Sequence, residues 1–441
     1  MKQYILVLSL AIACLGVGCE KDKNNRNKVA RAIMDTSWAY TQEVYLWYKS
    51  LPSDIGLNNF TDPNDLMEGI RKYSIEPGFS EPVDRWSFAL KKDEWNDISN
   101  AITKDFGISI FFNDENDLRV SHCEPGSPAY RAGVRRSWRI TGINGNTTIN
   151  TGDAAIQRIV DAVYNSASVK LDFLKPDNTE ETLTLTAEQY PQKPVYLDTV
   201  YNVGAGKVGY MVYTSFLGDV KTIKNRFATV FSNFASEGIN DLIIDLRYNS
   251  GGYVELQNEL SNYLVPASGG NGLMIKQRFN DKYSDMMDTT INFSKKGNLE
   301  LNRVFFITSK NSASASELLI NSLQPYMETK LIGKPTHGKA VGYFNIGVGD
   351  WYIFPVSFRS VNKDNVGNYF NGLPVEANVN DGLDRNWGDV EEACLASALH
   401  YINTGSYSNI SQRKQREDLQ LEENNAPLNR RFKGAVEHKK F

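Results

Sequence analysis

Apolar residues along this chain change their spacing twice, and those changes divide it. Between 27 and 50, Val29, Ile33, Tyr40, Val44 and Trp47 recur at roughly helical intervals, with Asp35, Gln42 and Glu43 off the stripe. Leu51-Pro52 is expected to stop that helix. Asp65 to Tyr73 predicts a second helix, and Pro77, Gly78 and Pro82 break the chain before Asp84-Arg85-Trp86-Ser87-Phe88. From about Glu94 the spacing shortens to that of strands. Strands are expected at Phe106 to Phe112, Asp117 to His122, Arg139 to Ile143, Val169 to Phe173 and Glu181 to Thr186. A short helix over Tyr130 to Val134, a turn at Asn144-Gly145 and an amphipathic helix over Asp153 to Asn165 fall between them.

Beyond a linker marked by Pro191 and Pro194, strands become apolar runs and alternate with helices. Strands at Lys207 to Tyr213, Leu242 to Leu246 and Val304 to Thr308 are followed by helices at Val220 to Ser236, Val254 to Leu264 and Ser314 to Leu323. That rhythm predicts a parallel α/β layer. Residues 341–358 read as a hairpin closing over it, and Glu391 to Tyr401 as a last helix. After Asn403 the chain turns polar and charged, which predicts a flexible tail.

Length and charge narrow the class only a little. The 441 residues suffice for two or three domains, and 48 Lys+Arg against 52 Asp+Glu give a net charge of −4. No Lys/Arg block stands beside aromatics, so nucleic acid is not an expected partner. Lys2, the apolar stretch Tyr4 to Ala13, and Leu15-Gly16-Val17-Gly18-Cys19 before a polar Glu20-Lys21-Asp22-Lys23 resemble a bacterial lipoprotein signal. The resemblance implies removal of residues 1–18, a lipid on Cys19 and a membrane-anchored place in the cell envelope, periplasmic or surface-exposed. Gly16 departs from it where leucine is usual. Cys123 and Cys394 are expected to be buried thiols; without a CxxC or Cys/His cluster, neither a metal site nor another cofactor is implied.

The candidate chemistry lies where the strand ending at Thr308 meets the helix after Ser314. A hydroxyl at such a corner is exposed beside unpaired helical N–H groups. Serine needs a base, and His337 is the one histidine near this stretch; a Ser/His arrangement is the lesser reading, having no evident orienting acid. Lys339 follows in a Gly-Lys loop and can serve if burial lowers its pKa by roughly two to three units from ~10.4. An oxyanion hole is expected from the N–H of Ala315 and that of Gly251 or Gly252. Asn311, Ser312 and Ser316 read as capping and turn residues.

Two resemblances extend this reading. Pro125-Gly126-Ser127-Pro128-Ala129, Ala132-Gly133-Val134 and Ile143-Asn144-Gly145 resemble a bacterial PDZ domain, which implies Phe106-Gly107-Ile108 as a carboxylate-binding loop. Asp245-Leu246-Arg247-Tyr248-Asn249-Ser250-Gly251-Gly252, Ser312-Ala313-Ser314-Ala315-Ser316-Glu317 and Gly333-Lys334-Pro335-Thr336-His337-Gly338-Lys339 resemble the carboxy-terminal processing serine peptidases. That family implies Ser314 as nucleophile, Lys339 as base, and a Clp-protease/crotonase-like α/β core. The glutamine that many members place four residues after the lysine is Tyr343 here; Tyr343 and Glu317 are candidate supporting residues. The expected organisation is a leader at 1–18, a tether and helical region at 19–93, a PDZ-like β-rich domain at 94–190, an α/β peptidase core at 195–402 and the tail at 403–441. The expected function is cleavage of protein or peptide tails, recruited through unstructured C-termini. The alternative is a non-catalytic peptide-binding envelope lipoprotein.

Overall fold

A computed structural model describes residues 28–407 together with 425, 428 and 434–436, so the leader and Cys19 lie outside the described residues. Its centre is a six-stranded sheet in the order Ala377–Asn378, Glu328–Gly333, Arg303–Thr308, Asp241–Asp245, Gly206–Tyr213, Val195–Val203. All neighbours are parallel except Val195–Val203, which runs antiparallel on Gly206–Tyr213 and occupies the stretch expected to start beyond a linker. Alternation along the central strands divides the core. Leu242, Ile244, Val304 and Phe306 pack with helices Val220–Glu237, Val254–Leu264 and Ala315–Leu323, while Ile243, Phe305 and Ile307 pack against helix Ala393–Thr404. Asp219 caps the first of these helices by accepting from the Thr222 N–H, and Gly238 ends it in the left-handed conformation.

The β-rich unit has its own core and a five-stranded antiparallel sheet, in the order Ile108–Asp114, Asp117–Cys123, Arg139–Ile143, Ser168–Leu174, Glu180–Thr186. Helices Pro128–Arg131 and Asp153–Tyr164 complete it. Its two ends meet in a ladder between Ile102–Asp105 and Glu188–Pro191, so the unit leaves and rejoins the chain at one place. Residues 94–99, expected to begin the strands, belong instead to helix Lys92–Ser99, where Trp95 is buried against Phe354.

The N-terminal region is helical over 28–44, ending earlier than Leu51-Pro52. The chain turns there because the Leu46 N–H pairs with the Val356 carbonyl of the core (2.8 Å). Strand Phe88–Lys91 then joins Trp351–Phe354, whose other edge takes Ile346–Val348. The hairpin expected over 341–358 is confined to those last two strands. Val341–Gly342 crosses to pair with Phe358–Val361, where a Cβ at Gly342 would stand 2.2 Å from the Phe358 ring.

Candidate active site

Strand Arg303–Thr308 delivers the chain to a turn ending at Ser314, immediately before helix Ala315–Leu323. Ser314 adopts φ 59°, ψ −107°, a conformation rare for a residue with a Cβ. Its neighbours hold it there by strapping the turn to the loop after Asp241–Asp245. The Ser312 hydroxyl donates to the Leu246 carbonyl (2.7 Å), the Ser316 hydroxyl to the Asn249 carbonyl (2.8 Å), and the Ala313 N–H to the same Asn249 oxygen (3.1 Å). Ser312 and Ser316 are thus spent on backbone. Ser314 Oγ is buried and has no hydrogen-bond partner among the described residues. Leaving such a group unpaired costs about 1–3 kcal/mol, so a stable fold retains one mainly where it is used.

Glu317 joins the Ser314 corner to the Lys339 loop. Its Oε2 accepts from the Ser314 N–H (2.6 Å) and from the Lys339 N–H (2.9 Å); its Oε1 accepts from the Thr336 hydroxyl (2.6 Å) and the Gly338 N–H (2.6 Å). One carboxylate oxygen therefore bounds the separation of two backbone nitrogens by the sum of two hydrogen bonds. Burial pushes the Glu317 carboxyl above its ordinary value, while these four donors act the other way.

The Lys339 side chain is buried, with Nζ 3.7 Å from the centroid of the Tyr343 ring and 5.9 Å from that of Trp86. Burial holds the amine well below the ordinary lysine range, against the charges of Asp84 and Glu317, which raise it. Tyr343 is itself fixed edge-on against Phe88 and Phe354. Phe88 and Trp86 come from the N-terminal region, which thus walls the lysine pocket. Asp84 anchors that wall: its carboxylate accepts from the Tyr45 hydroxyl (2.9 Å), the Trp86 N–H (2.8 Å) and the Ser87 N–H (3.0 Å). His337 cannot offer a base. Trp86 Nε1 donates to its Nε2 (3.0 Å) and its Nδ1 lies 3.2 Å from the Lys310 carbonyl, so both ring nitrogens are engaged.

Gly251 and Gly252 take positive φ (101° and 141°) on the strand Gly251–Tyr253, and a Cβ at Gly252 would lie 2.3 Å from the Phe216 carbonyl carbon. The Gly251 N–H donates to Asn249 Oδ1 (3.0 Å). Ala315 is the first helical residue, so its N–H has no intrahelical acceptor. Gly107 and Ile108 line a cleft of about 370 Å³ between the β-rich unit and the core, with Tyr248, Ser250 and Asn311; Phe106 is buried in the core of the β-rich unit, and the Gly107 N–H donates to Asp105 Oδ1 (2.6 Å).

Residues 207–379 match the peptidase family S41, and residues 38–88 match the peptidase S41 N-terminal domain. The chain belongs to peptidase family S41. A Staphylococcus aureus protein described as a CtpA-like serine protease is 24% identical over 330 residues, taking in 71% of this chain and 60% of its own length. A carboxyl-terminal-processing protease of Picosynechococcus is 27% identical over 237 residues, 53% of this chain and 54% of its own. The chain thus spans less than two thirds of these relatives. A solved structure from Bacteroides fragilis, assigned to the S41 proteases, superposes with a TM-score of 0.69 at 23% identity, covering 83% of this chain and 97% of that one. The S41 fold, with mixed α/β content and a helical N-terminal region, is therefore shared.

In this S41 chain, sequence reasoning passed over Asp84 and Trp86, which it met only as residues near a break. The N-terminal S41 segment ends at residue 88, at this wall. An unbroken polar-aromatic run, Asp84-Arg85-Trp86-Ser87-Phe88, was the available signal. Arg136 was also missed. It is buried at the junction of the β-rich unit and the core, and donates to the Ser121 carbonyl (2.7 Å), the Tyr248 hydroxyl (3.0 Å) and the Asp381 carboxylate.

Proposed function

We propose that this chain is a serine endopeptidase of the C-terminal processing type, using Ser314 as nucleophile and Lys339 as general base. The observation that carries this is the buried, unpartnered Ser314 hydroxyl on a strained corner, tied through a single Glu317 oxygen to the backbone of a lysine that burial favours as the neutral amine. Neutral Lys339 takes the Ser314 proton as Oγ attacks the scissile carbonyl. The oxyanion is received by the Ala315 N–H and, on the other side, by the Gly252 N–H, since the Gly251 N–H is spent on Asn249. The Lys339 ammonium then protonates the leaving amine. Water, deprotonated by the same amine, hydrolyses the acyl-serine and regenerates Ser314. Glu317 positions both residues, and Tyr343 walls the lysine pocket.

The β-rich unit is read as a PDZ-like domain that recruits extended tails through Phe106-Gly107-Ile108, and the cleft beside that loop supports this. The leader and Cys19 support a lipid-anchored place in the cell envelope. Ser314→Ala and Lys339→Ala are each expected to lower hydrolysis of a disordered protein at least 10³-fold with unchanged circular dichroism, and Ser314→Ala to abolish labelling by a fluorophosphonate. Undiminished hydrolysis by either variant would sink the dyad. Binding of tailed peptides by a wild-type chain that neither labels nor cleaves would establish the binder instead.

A further inference from the structure

The sheet of the β-rich unit ends at Ile108–Asp114, whose outer edge offers unpaired backbone groups. Asn425 of the same chain takes one pair of them. The Asn425 side chain accepts from the Phe112 N–H (2.7 Å) and donates to the Phe112 carbonyl (3.0 Å), reproducing with one amide the paired bonds of an added strand. Leu428 is 2% exposed, inserted in the core of the β-rich unit, and lines the cleft that faces Ser250 and Asn311. Gly434–Val436 then forms a parallel strand on Gly251–Tyr253, with Gly434 opposite Gly251 and Ala435 opposite Gly252. It also lies beside Val341–Gly342, two residues after Lys339.

We infer that Asn425, Leu428 and residues 434–436 are intramolecular occupants of the substrate track, and that an extended polypeptide substrate must displace them. This rests on the peptidase reading of the site and names what regulates it. Three contacts of different kinds fall in chain order along one path: an edge pairing on the β-rich unit, an apolar side chain in the cleft between the units, and strand pairing at the glycine turn of the core. An incoming chain needs the same backbone groups of Gly251–Tyr253 that residues 434–436 hold. Tethering makes the competitor's effective concentration high even if each contact is weak. The path also sets a spacing: the apolar residue in the cleft, Leu428, stands six residues before Gly434, whose backbone pairs with Gly251.

The test uses the full-length chain. Val436→Pro removes the backbone N–H that the parallel register turns toward the Gly252 carbonyl, Gly251 and Tyr253 being engaged by Phe216, and leaves Asn425 and Leu428 in place. With fluorescein-labelled casein as substrate, this variant should show kcat/KM raised about tenfold, the loss of one or two net hydrogen bonds, through a lower KM and with kcat unchanged within about twofold. A synthetic peptide of residues 425–441 should inhibit it competitively. In the Ser314→Ala, Val436→Pro double variant the same peptide, fluorescently labelled, should bind by anisotropy, and bind more weakly when its Leu428 is replaced by Asp. An unchanged KM in Val436→Pro together with no peptide binding would overturn the inference. Peptide binding without hydrolysis in any form would uphold the docked tail while refuting the peptidase reading, so the two fail separately.

Discussion

Lys339 sits in a pocket walled by Trp86 and Tyr343, where the neutral amine costs less than the ammonium. Hydrolysis should therefore rise with pH as Lys339 loses its proton, at a pH well below the ordinary lysine value of ~10.4, and then level off. Stability carries the same sign. A lysine with a depressed folded pKa contributes most above its unfolded value, and that contribution is lost as pH falls through the depressed one. Lys339→Met should abolish hydrolysis and melt increasingly above wild type as the pH is lowered; calorimetric scans of both proteins across pH check this. Glu317 makes a different demand. Its two oxygens receive four donors, and Glu317→Gln would turn an NH2 toward two of them. A loss of about 2–4 kcal/mol in urea titration, with kcat lowered roughly 10²-fold and KM little changed, is the expected result. A merely structural role would move stability and leave the kcat of the folded fraction intact.

At the scale of elements, the strand Gly251–Tyr253 depends on close approach to Phe216, whose N–H and carbonyl bond Gly251 and Tyr253 at 2.9 Å each. A methyl at Gly252 would meet that backbone at 2.3 Å in a φ that alanine disfavours. Gly252→Ala should lower kcat more than 10²-fold, and denaturant titration should show it less stable by about 1–3 kcal/mol. Such elements explain what was legible beforehand. Helix Val254–Leu264 and strand Arg139–Ile143 follow local apolar spacing and turn residues, and their expected bounds agree with the structure. The Ser314 corner was legible too, because small residues between an apolar strand and helix leave few conformations. Val195–Val203 was not. Its residues are only partly buried on an edge, so no strong apolar pattern marks it. Nor was the early end of the helix over 28–44, which is set by a bond from Leu46 to Val356, far away in sequence. Asp84 and Trp86 matter through contacts with residues some 250 positions later, which no local pattern records.

At the scale of the whole molecule, three regions build one site, and Arg136 shows how two of them are locked. The core presents buried Arg247, Tyr248 and Glu392 with the partly exposed Asp381 as an ionic cluster beside the Asn249–Gly252 loop; Arg247 bonds Asp245, Asp381 (2.5 Å) and Glu392 (2.8 Å). The β-rich unit supplies Arg136 to the same Asp381 and Tyr248, and its Nε also donates to the Arg385 carbonyl (3.1 Å). Burial pushes the Asp381 carboxyl up, but the Arg136 and Arg247 guanidiniums outweigh it and hold the group at about 2. A carboxyl depressed in this way stabilises the fold above its ordinary ~3.9, and loses that contribution only as pH falls toward about 2. The junction should therefore survive mild acid. Arg136→Met would leave Asp381 with Arg247 and the Tyr248 hydroxyl and take one donor from Tyr248; with Asp381 partly exposed and still paired, the loss should be about 1–3 kcal/mol. Because Tyr248 directly precedes Asn249, whose side chain holds the Gly251 N–H, the loss should reach the Gly251–Gly252 turn, the proposed oxyanion donor, without touching Ser314 or Lys339. The variant should fold, lose at least tenfold in kcat, and be cut faster by trypsin after Lys104, in the ladder where the β-rich unit leaves and rejoins the chain. Unchanged kcat with faster cutting would confine Arg136 to holding the two units together.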